Sequence, residues 1–432
     1  MKKNIFVMLI SCFSFFCFSQ APEIQNLNIQ DAVALALENN ISIKRNKSSL
    51  ETLERANKYS WNSAAPSLNA SGNFNLPLDS EKIDNWTIGA SVSVSVRLSP
   101  SVYTSVQSAK LNYEQGSISY DEAVKTVELN VRSSYYQILY SKENLLLLER
   151  NLETAKKRYE LNLEKYNKGQ LSEYDLLSAQ YSYESLIPSI ESSQISLENN
   201  ISTFKQILGI SQDVQIELEG SLDDFFGTFD FQFNNDENEI PSIKMLNSKI
   251  ESAKNQLLAT RFSAYGPNIS LSYSYGKNNS QAMGGGRSWS DSGNSIGVSI
   301  SVPLDGFLPW SSGALSVANQ KANLHDLELQ LEDKKTSINI EIQNNVKKIL
   351  QAQSQLETIQ KNVELAQKKY DLTQAAYNHG SKDFLTLQSA EDSLMDAKIK
   401  LMSQKLTLIN AVLSLENLLG LPFGTLMDNA KQ

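Results

Sequence analysis

The sequence predicts a mixed α/β membrane protein built as an internal two-fold repeat. Each repeat has two transmembrane β-strands followed by a long helical coiled-coil hairpin. Three observations predict it. First, the stretch Tyr159 to Gly209 recurs without a gap 211 residues later, since Tyr159 falls on Tyr370, Tyr166 on Tyr377, Gly169 on Gly380 and Gly209 on Gly420. Leu176/Leu387, Ser178/Ser389, Ala179/Ala390, Asn199/Asn410 and Leu208/Leu419 are identical in the same register, so one structural unit is built twice. Second, apolar positions step by three and four on both sides of each central glycine, a coiled-coil signature. Third, four segments of roughly ten residues alternate apolar side chains with serine, the pattern of strands between lipid and water.

Taken in order, residues 1–19 read as a secretory signal peptide: Lys2 and Lys3 precede a mostly apolar run, and Cys17 and Ser19 suit cleavage before Gln20. Lipidation at Cys17 is the rival, with bulky Phe16 standing where a small residue is wanted. Both cysteines leave with the peptide, so no disulfide, thiol nucleophile or cysteine metal site is expected. Losing two lysines takes the net charge from -9 to -11, which argues against nucleic acid as a partner. No later stretch has the roughly 18 uninterrupted apolar residues of a membrane helix. An exported chain of this kind is periplasmic, secreted, or an outer-membrane barrel.

The first repeat spans 20–209. A helix over Ile29 to Trp61 leads to the strand pair 66–97, where Leu68, Ala70, Gly72, Phe74 and then Ile88, Ala90, Val92, Val94, Val96 alternate with small polar residues. The hairpin follows over 101–208. Its seam runs Leu145, Leu148, Leu152, Ala155, Tyr159, Asn162, Tyr166 into the Gly169 turn and returns through Ala179, Tyr183, Leu186, Ile190. Gly116 is the weak point of the long helix, and Pro188 should kink the returning one. A polar linker, 210–239, joins the halves near mid-height. The second repeat, 240–432, has a helix, the strand pair 267–304, the hairpin 311–419 and a C-terminal tail. Its strands alternate as Ile269, Leu271, Tyr273, Tyr275 and Ile296, Val298, Ile300, Val302. Pro66 and Pro267 open strands, where proline is tolerated, and all four tryptophans (Trp61, Trp86, Trp289, Trp310) flank strand ends as an aromatic girdle would. Short returning helices should stack end to end with the ascending ones, beside helices about 100 Å long.

Little here resembles catalysis. His325 and His379 lack spaced partners, the acidic residues are scattered at helical spacing, and Gly284-Gly285-Gly286-Arg287 lies between strands rather than at a strand-to-helix turn. No catalytic, cofactor or metal site is expected.

The duplicated order of strand pair, hairpin and Tyr-x-x-Gly turn carries a resemblance. Tyr166, Gly169, Leu176, Ala179 and Gln180 match Tyr377, Gly380, Leu387, Ala390 and Glu391, with Leu208-Gly209 and Leu419-Gly420 closing the copies. From about Ile29 to Leu421 this resembles the TolC family of outer-membrane efflux proteins. The resemblance implies a homotrimer whose three chains pool strands into a twelve-stranded barrel, continued by a periplasmic α-helical barrel. Four strands alone cannot close, and open edges are not tolerated in lipid. It implies a passive exit duct of a tripartite efflux or type I secretion system, located in the outer membrane. The tip would dock a periplasmic adaptor (membrane fusion) protein that connects to an inner-membrane pump or ABC transporter. On this chain the tip residues are Tyr166, Gly169, Leu171, Ser172, Tyr377, Gly380, Ser381 and Lys382. The family's entrance aspartates, six and nine residues past the second glycine, fall here on Thr386 and Ser389. Asp175 keeps the acidic type in the first copy, and Asp383 partly substitutes in the second. After Val302-Pro303-Leu304 the chain continues Asp305-Gly306-Phe307, a local departure from the family pattern. The competing reading is a periplasmic coiled-coil scaffold or adhesin with a soluble sheet.

Overall fold

Period-2 and period-3.5 patterning divide this chain into a sheet and a helical tube wall. The computed structural model describes residues 24–76, 86–225, 237–281 and 287–428. The chain opens with strand β1 (Ile24–Leu27) and helices α1 (Ile29–Asn39) and α2 (Ile41–Lys58). It runs out through β2 (Ser67–Asn75) and β3 (Thr87–Leu98) and returns as the hairpin α3 (Ser101–Asn167) and α4 (Glu173–Leu208). Strand β4 (Gln215–Leu218) and helix α5 (Pro241–Tyr265) lead to β5 (Asn268–Gln281) and β6 (Arg287–Ser301). The second hairpin is α6 (Ser312–Asn378) and α7 (Phe384–Leu419), followed by the short α8 (Thr425–Asp428). The expected signal peptide, the loop Pro77 to Asn85 and Gly284 to Gly286 lie outside the described residues.

The four long strands form one antiparallel sheet in the order β2-β3-β5-β6. Register makes its two faces uniform. Leu68 faces Val94, Val94 faces Tyr273 and Tyr273 faces Ile296, while Ser67, Ser95 and Ser272 form the adjacent row on the other face. Serine hydroxyls pair across strands at 2.7 Å (Ser67–Ser95), 2.8 Å (Ser71–Ser91), 2.6 Å (Ser270–Ser299) and 2.7 Å (Ser274–Ser295). The apolar face lies bare: Leu68 is 74% exposed, Ile296 76% and Ile300 69%. A soluble sheet would cover such a face, and lipid is the solvent that suits it. This observation removes the scaffold reading. β2 and β6 are edges with no second partner strand among the described residues, so closure needs further copies. A register shift at Gly276/Lys277 carries β5 and β6 beyond their alternating cores. Trp289, expected at a strand end, therefore sits inside β6 opposite Asn279.

Helices α3 and α6 have 67 residues each, about 100 Å at 1.5 Å per residue. In the half nearer the sheet the lateral order is α2, α3, α5, α6; in the other half it is α4, α3, α7, α6. On α3 the residues buried from Ser141 to the tip recur every seven, at Ser141, Leu148, Ala155 and Asn162, the mark of a heptad seam. Tyr159 stacks on Tyr183 of α4 with centroids 6.1 Å apart. α3 continues through Gly116, where an added Cβ would lie 2.5 Å from Leu53 Cδ1. Glycine there permits close approach of α2. Pro188 lies inside continuous α4.

One expected helix is two. Asn40 interrupts Ile29 to Trp61: its side chain caps α2 by accepting from Ser42 and Ile43 N–H (2.8 and 3.3 Å), and its Nδ2 donates to the Ile207 carbonyl at 2.7 Å. The returning α4 thus ends against the α1–α2 junction.

At this level the largest core gathers around Val131, Tyr135, Phe204, Leu208, Leu408, Val412 and Leu415. β1 and β4 pair in parallel there, a pair that the linker reading of 210–239 did not contain. The Tyr135 hydroxyl donates to the Leu27 carbonyl (3.2 Å) and to that of Glu219, and burial pushes its pKa up to about 12. Glu416, fully buried, accepts from Gly424 and Leu426 N–H at 2.9 and 3.0 Å. Burial raises its carboxyl above the usual range.

Candidate functional site: the hairpin tips

Both tips are made by one device. In the first, Gly169 has φ 70° and the Gln170 N–H donates to the Lys165 carbonyl at 2.9 Å. In the second, Gly380 has φ 73° and the Ser381 N–H donates to the Ala376 carbonyl at 2.9 Å. This is the left-handed helix stop that residues with a Cβ resist. Nothing lies within 4 Å of where a Cβ would sit on either glycine. The turns project into open space.

The helices that leave the tips are capped by the same two chemical groups in exchanged places. Ser172 caps α4, accepting from Asp175 N–H at 3.2 Å, while its hydroxyl donates to Asp175 Oδ2 at 2.7 Å. Asp383 caps α7, accepting from Thr386 N–H at 2.8 Å. Hydrogen bonds from the Thr386 side chain and N–H hold the Asp383 carboxyl below its usual range. Ser-x-x-Asp has become Asp-x-x-Thr: the first tip has Glu173 and Asp175 in the first turn of α4, and the second has Asp383 at the N-cap of α7, positions where the dipole favours a carboxylate. Thr386 and Ser389 are exposed on α7.

The repeat-equivalent tyrosines are not equivalent in space. Tyr377 packs edge-on to Phe384 at 6.4 Å, lies under Lys165 Nζ at 5.8 Å, and donates to Asn162 Oδ1 at 3.4 Å. Burial raises its pKa. Tyr166 is 38% exposed. Leu171 is half-buried, while Ser172, Ser381 and Lys382 are exposed. The hairpins are joined above the tips by an ion pair between Arg158 of α3 and Glu391 of α7.

Sequence reasoning missed two features here. Arg158 and Glu391 lie 233 positions apart, and no local signal links them. Tyr174, Leu177 and Tyr181 form a second apolar stripe on α4, spaced by three and four and 63%, 55% and 73% exposed. That spacing was visible beside the seam.

The outer membrane efflux protein family model matches residues 32–200 and 237–421. No curated protein sequence matches the chain. Among solved structures, the fold is similar to that of CusC, with a TM-score of 0.77 and 16% identity over 91% of this chain and 92% of that one. The Campylobacter jejuni CmeC outer membrane channel gives 0.76 and 17%, over 97% and 94%. The Neisseria gonorrhoeae MtrE outer membrane channel in its open state gives 0.72 and 19%, over 91% and 89%. Two matched blocks, one per repeat and together spanning most of the chain, carry the bare-faced sheet and both glycine turns, and the chain belongs to the outer membrane efflux protein family.

Proposed function

We propose that the two hairpin tips form the docking surface for a periplasmic adaptor protein, which connects the duct to an inner-membrane pump or ABC transporter. The protein is itself a passive outer-membrane efflux channel. Three chains pool twelve strands into the barrel, and their helices continue it into the periplasm. The observation that supports docking is the open space around Gly169 and Gly380, with exposed Tyr166, Ser172, Ser381 and Lys382 beside them. A turn whose glycine has open space beside it among the described residues is available to a partner. Asp175, Asp383, Thr386 and Ser389 then belong to the pore entrance, where the Asp175 and Asp383 carboxylates give a mild preference for cations.

The test uses Gly169→Val and Gly380→Val, which distort the turns while leaving the seam intact. Detergent-extracted trimers should persist, while adaptor co-purification and export should fall. Wild-type adaptor capture by the double variant would overturn the reading. At the entrance, Asp175→Ala should leave docking intact and reduce cation block in a planar bilayer. Unchanged block would leave Asp175 only its part in the capping of α4.

A further inference from the structure

The serine face of the sheet is the lumen face, since its opposite is the bare apolar one. Along the described strands that face carries serine, asparagine, glycine and threonine, with one exception. Arg97 stands in the same alternation as Ser91, Ser93 and Ser95, opposite Ser270, which in turn faces Ser299. Lys277 and Asp291, the nearest strand charges toward the far end, pair at 3.4 Å and fall in the other alternation, with Lys277 opposite Ala90. Arg97 is thus the single charge on the described lumen face. It lies at the second-last position of β3, where the barrel meets the helical tube.

Its surroundings suit an anion. Arg97 is exposed and makes no ion pair among the described residues. It lines a cavity of about 510 Å³ with Ser99, Ser101, Ser105, Asn268 and Ser301, and the lining includes no carboxylate. Hydroxyl and amide donors around a guanidinium can complete the shell of a carboxylate, phosphate or sulfate group. The second repeat places Pro303 after its Ser-Val in the corresponding stretch, so each chain supplies one arginine. The trimer then holds three at one level.

We propose that this ring of three Arg97 side chains is an anion-attracting collar at the foot of the barrel, biasing the exit toward anionic cargo. The collar is independent of which adaptor docks at the tips. A twelve-stranded barrel puts its backbone roughly 12 Å from the axis, and an arginine reaches several ångströms inward. Three charges at that range, screened at 0.1 M salt, change the chloride-to-potassium permeability ratio by about twofold, and by more at lower salt.

Reversal potentials of the purified trimer in a planar bilayer under a potassium chloride gradient test this. Arg97→Gln should lower the chloride-to-potassium ratio by about twofold at 0.1 M and leave it unchanged near 1 M, where screening is short-ranged. Arg97→Lys should keep the wild-type ratio. Ser299→Glu, which adds a carboxylate in the same row with Arg97 intact, should lower the ratio as Arg97→Gln does. Lys277→Gln, which removes a charge from the other alternation, should not move it. A conducting Arg97→Gln trimer with wild-type selectivity at 0.1 M, or a Lys277→Gln shift as large, would overturn the proposal.

Discussion

Each returning helix has a left-handed glycine near both of its ends, and the two ends use it differently. Gly169 and Gly380 at the tips have φ 70° and 73°; Gly209 and Gly420 at mid-height have 72° and 69°. The backbone demand is the same. At the tips a Cβ would meet nothing within 4 Å, whereas at Gly209 it would lie 2.5 Å from the Asn39 carbonyl oxygen and at Gly420 2.9 Å from Pro241 Cδ. One pair turns the chain in the open; the other turns it inside a packed joint. A repeated motif therefore fixes conformation in both places, and its surroundings decide whether substitution harms a surface or the fold.

The largest contrast should come from Gly209→Ala. Left-handed strain of about 1–2 kcal/mol adds to overlap with Asn39 backbone, for a total of about 2–5 kcal/mol. The thermal midpoint of the trimer should fall, and a midpoint equal to that of Gly169→Ala would break the comparison. Next, Glu416→Ala removes the acceptor of two buried N–H groups and should cost about 2–3 kcal/mol. Glu416→Gln keeps an acceptor and sharpens the point through pH. The folded-state pKa of Glu416 is raised above its ordinary 4.5, so its stabilising contribution is complete below that value and is lost as pH rises through the folded pKa. The wild type should accordingly gain on the Gln variant as pH is lowered from neutral toward 4.5, as thermal melts at a series of pH values would report.

Smaller effects belong to the tips. Gly169→Ala and Gly380→Ala should each cost about 1–2 kcal/mol from backbone strain alone, seen as faster hydrogen exchange confined to the turn. Smallest is Ser172→Ala, at about 1 kcal/mol for a lost cap. Its counterpart Asp383 has a depressed carboxyl pKa. Its help is therefore present above the ordinary carboxylate pKa and fades as pH falls through the folded value. Exchange at the start of α7 should rise on strong acidification, and exchange at the start of α4 should rise less.

The parts of this molecule that local pattern determines were legible. Period-2 alternation marks the four long strands because each has one lipid-side and one water-side face, and the 211-residue offset marks the hairpins because their seams are heptad-spaced. The parts set by distant contact were hidden. β1 and β4 have four residues each and pair across 191 positions, Ile24 with Gln215, too short to alternate visibly. Asn40 looked helical because both flanks are helical, and the second half of its role, the bond from its Nδ2 to the Ile207 carbonyl, spans 167 positions. At the tips, glycine chemistry gave the turns, and the two caps could be read from Ser172 and Asp383. That Tyr377 is packed while Tyr166 is half-bare follows from Asn162 and Lys165 of the other hairpin, which no alignment of the two copies reveals.

The meeting of helix ends at mid-height has an engineering consequence. A wall made of full-length members and butted half-length members is weakest where the butts coincide, and in this chain α4 ends at the α1–α2 junction while α7 ends at the start of α5. The fold answers as a builder would, with splice plates across the joint: the parallel β1–β4 strap, Tyr135 pinned to two carbonyls, and the C-terminal turn fastened to Glu416. The joint thereby gains cross-links at the level where the butted ends coincide, links that a wall of continuous helices would not need.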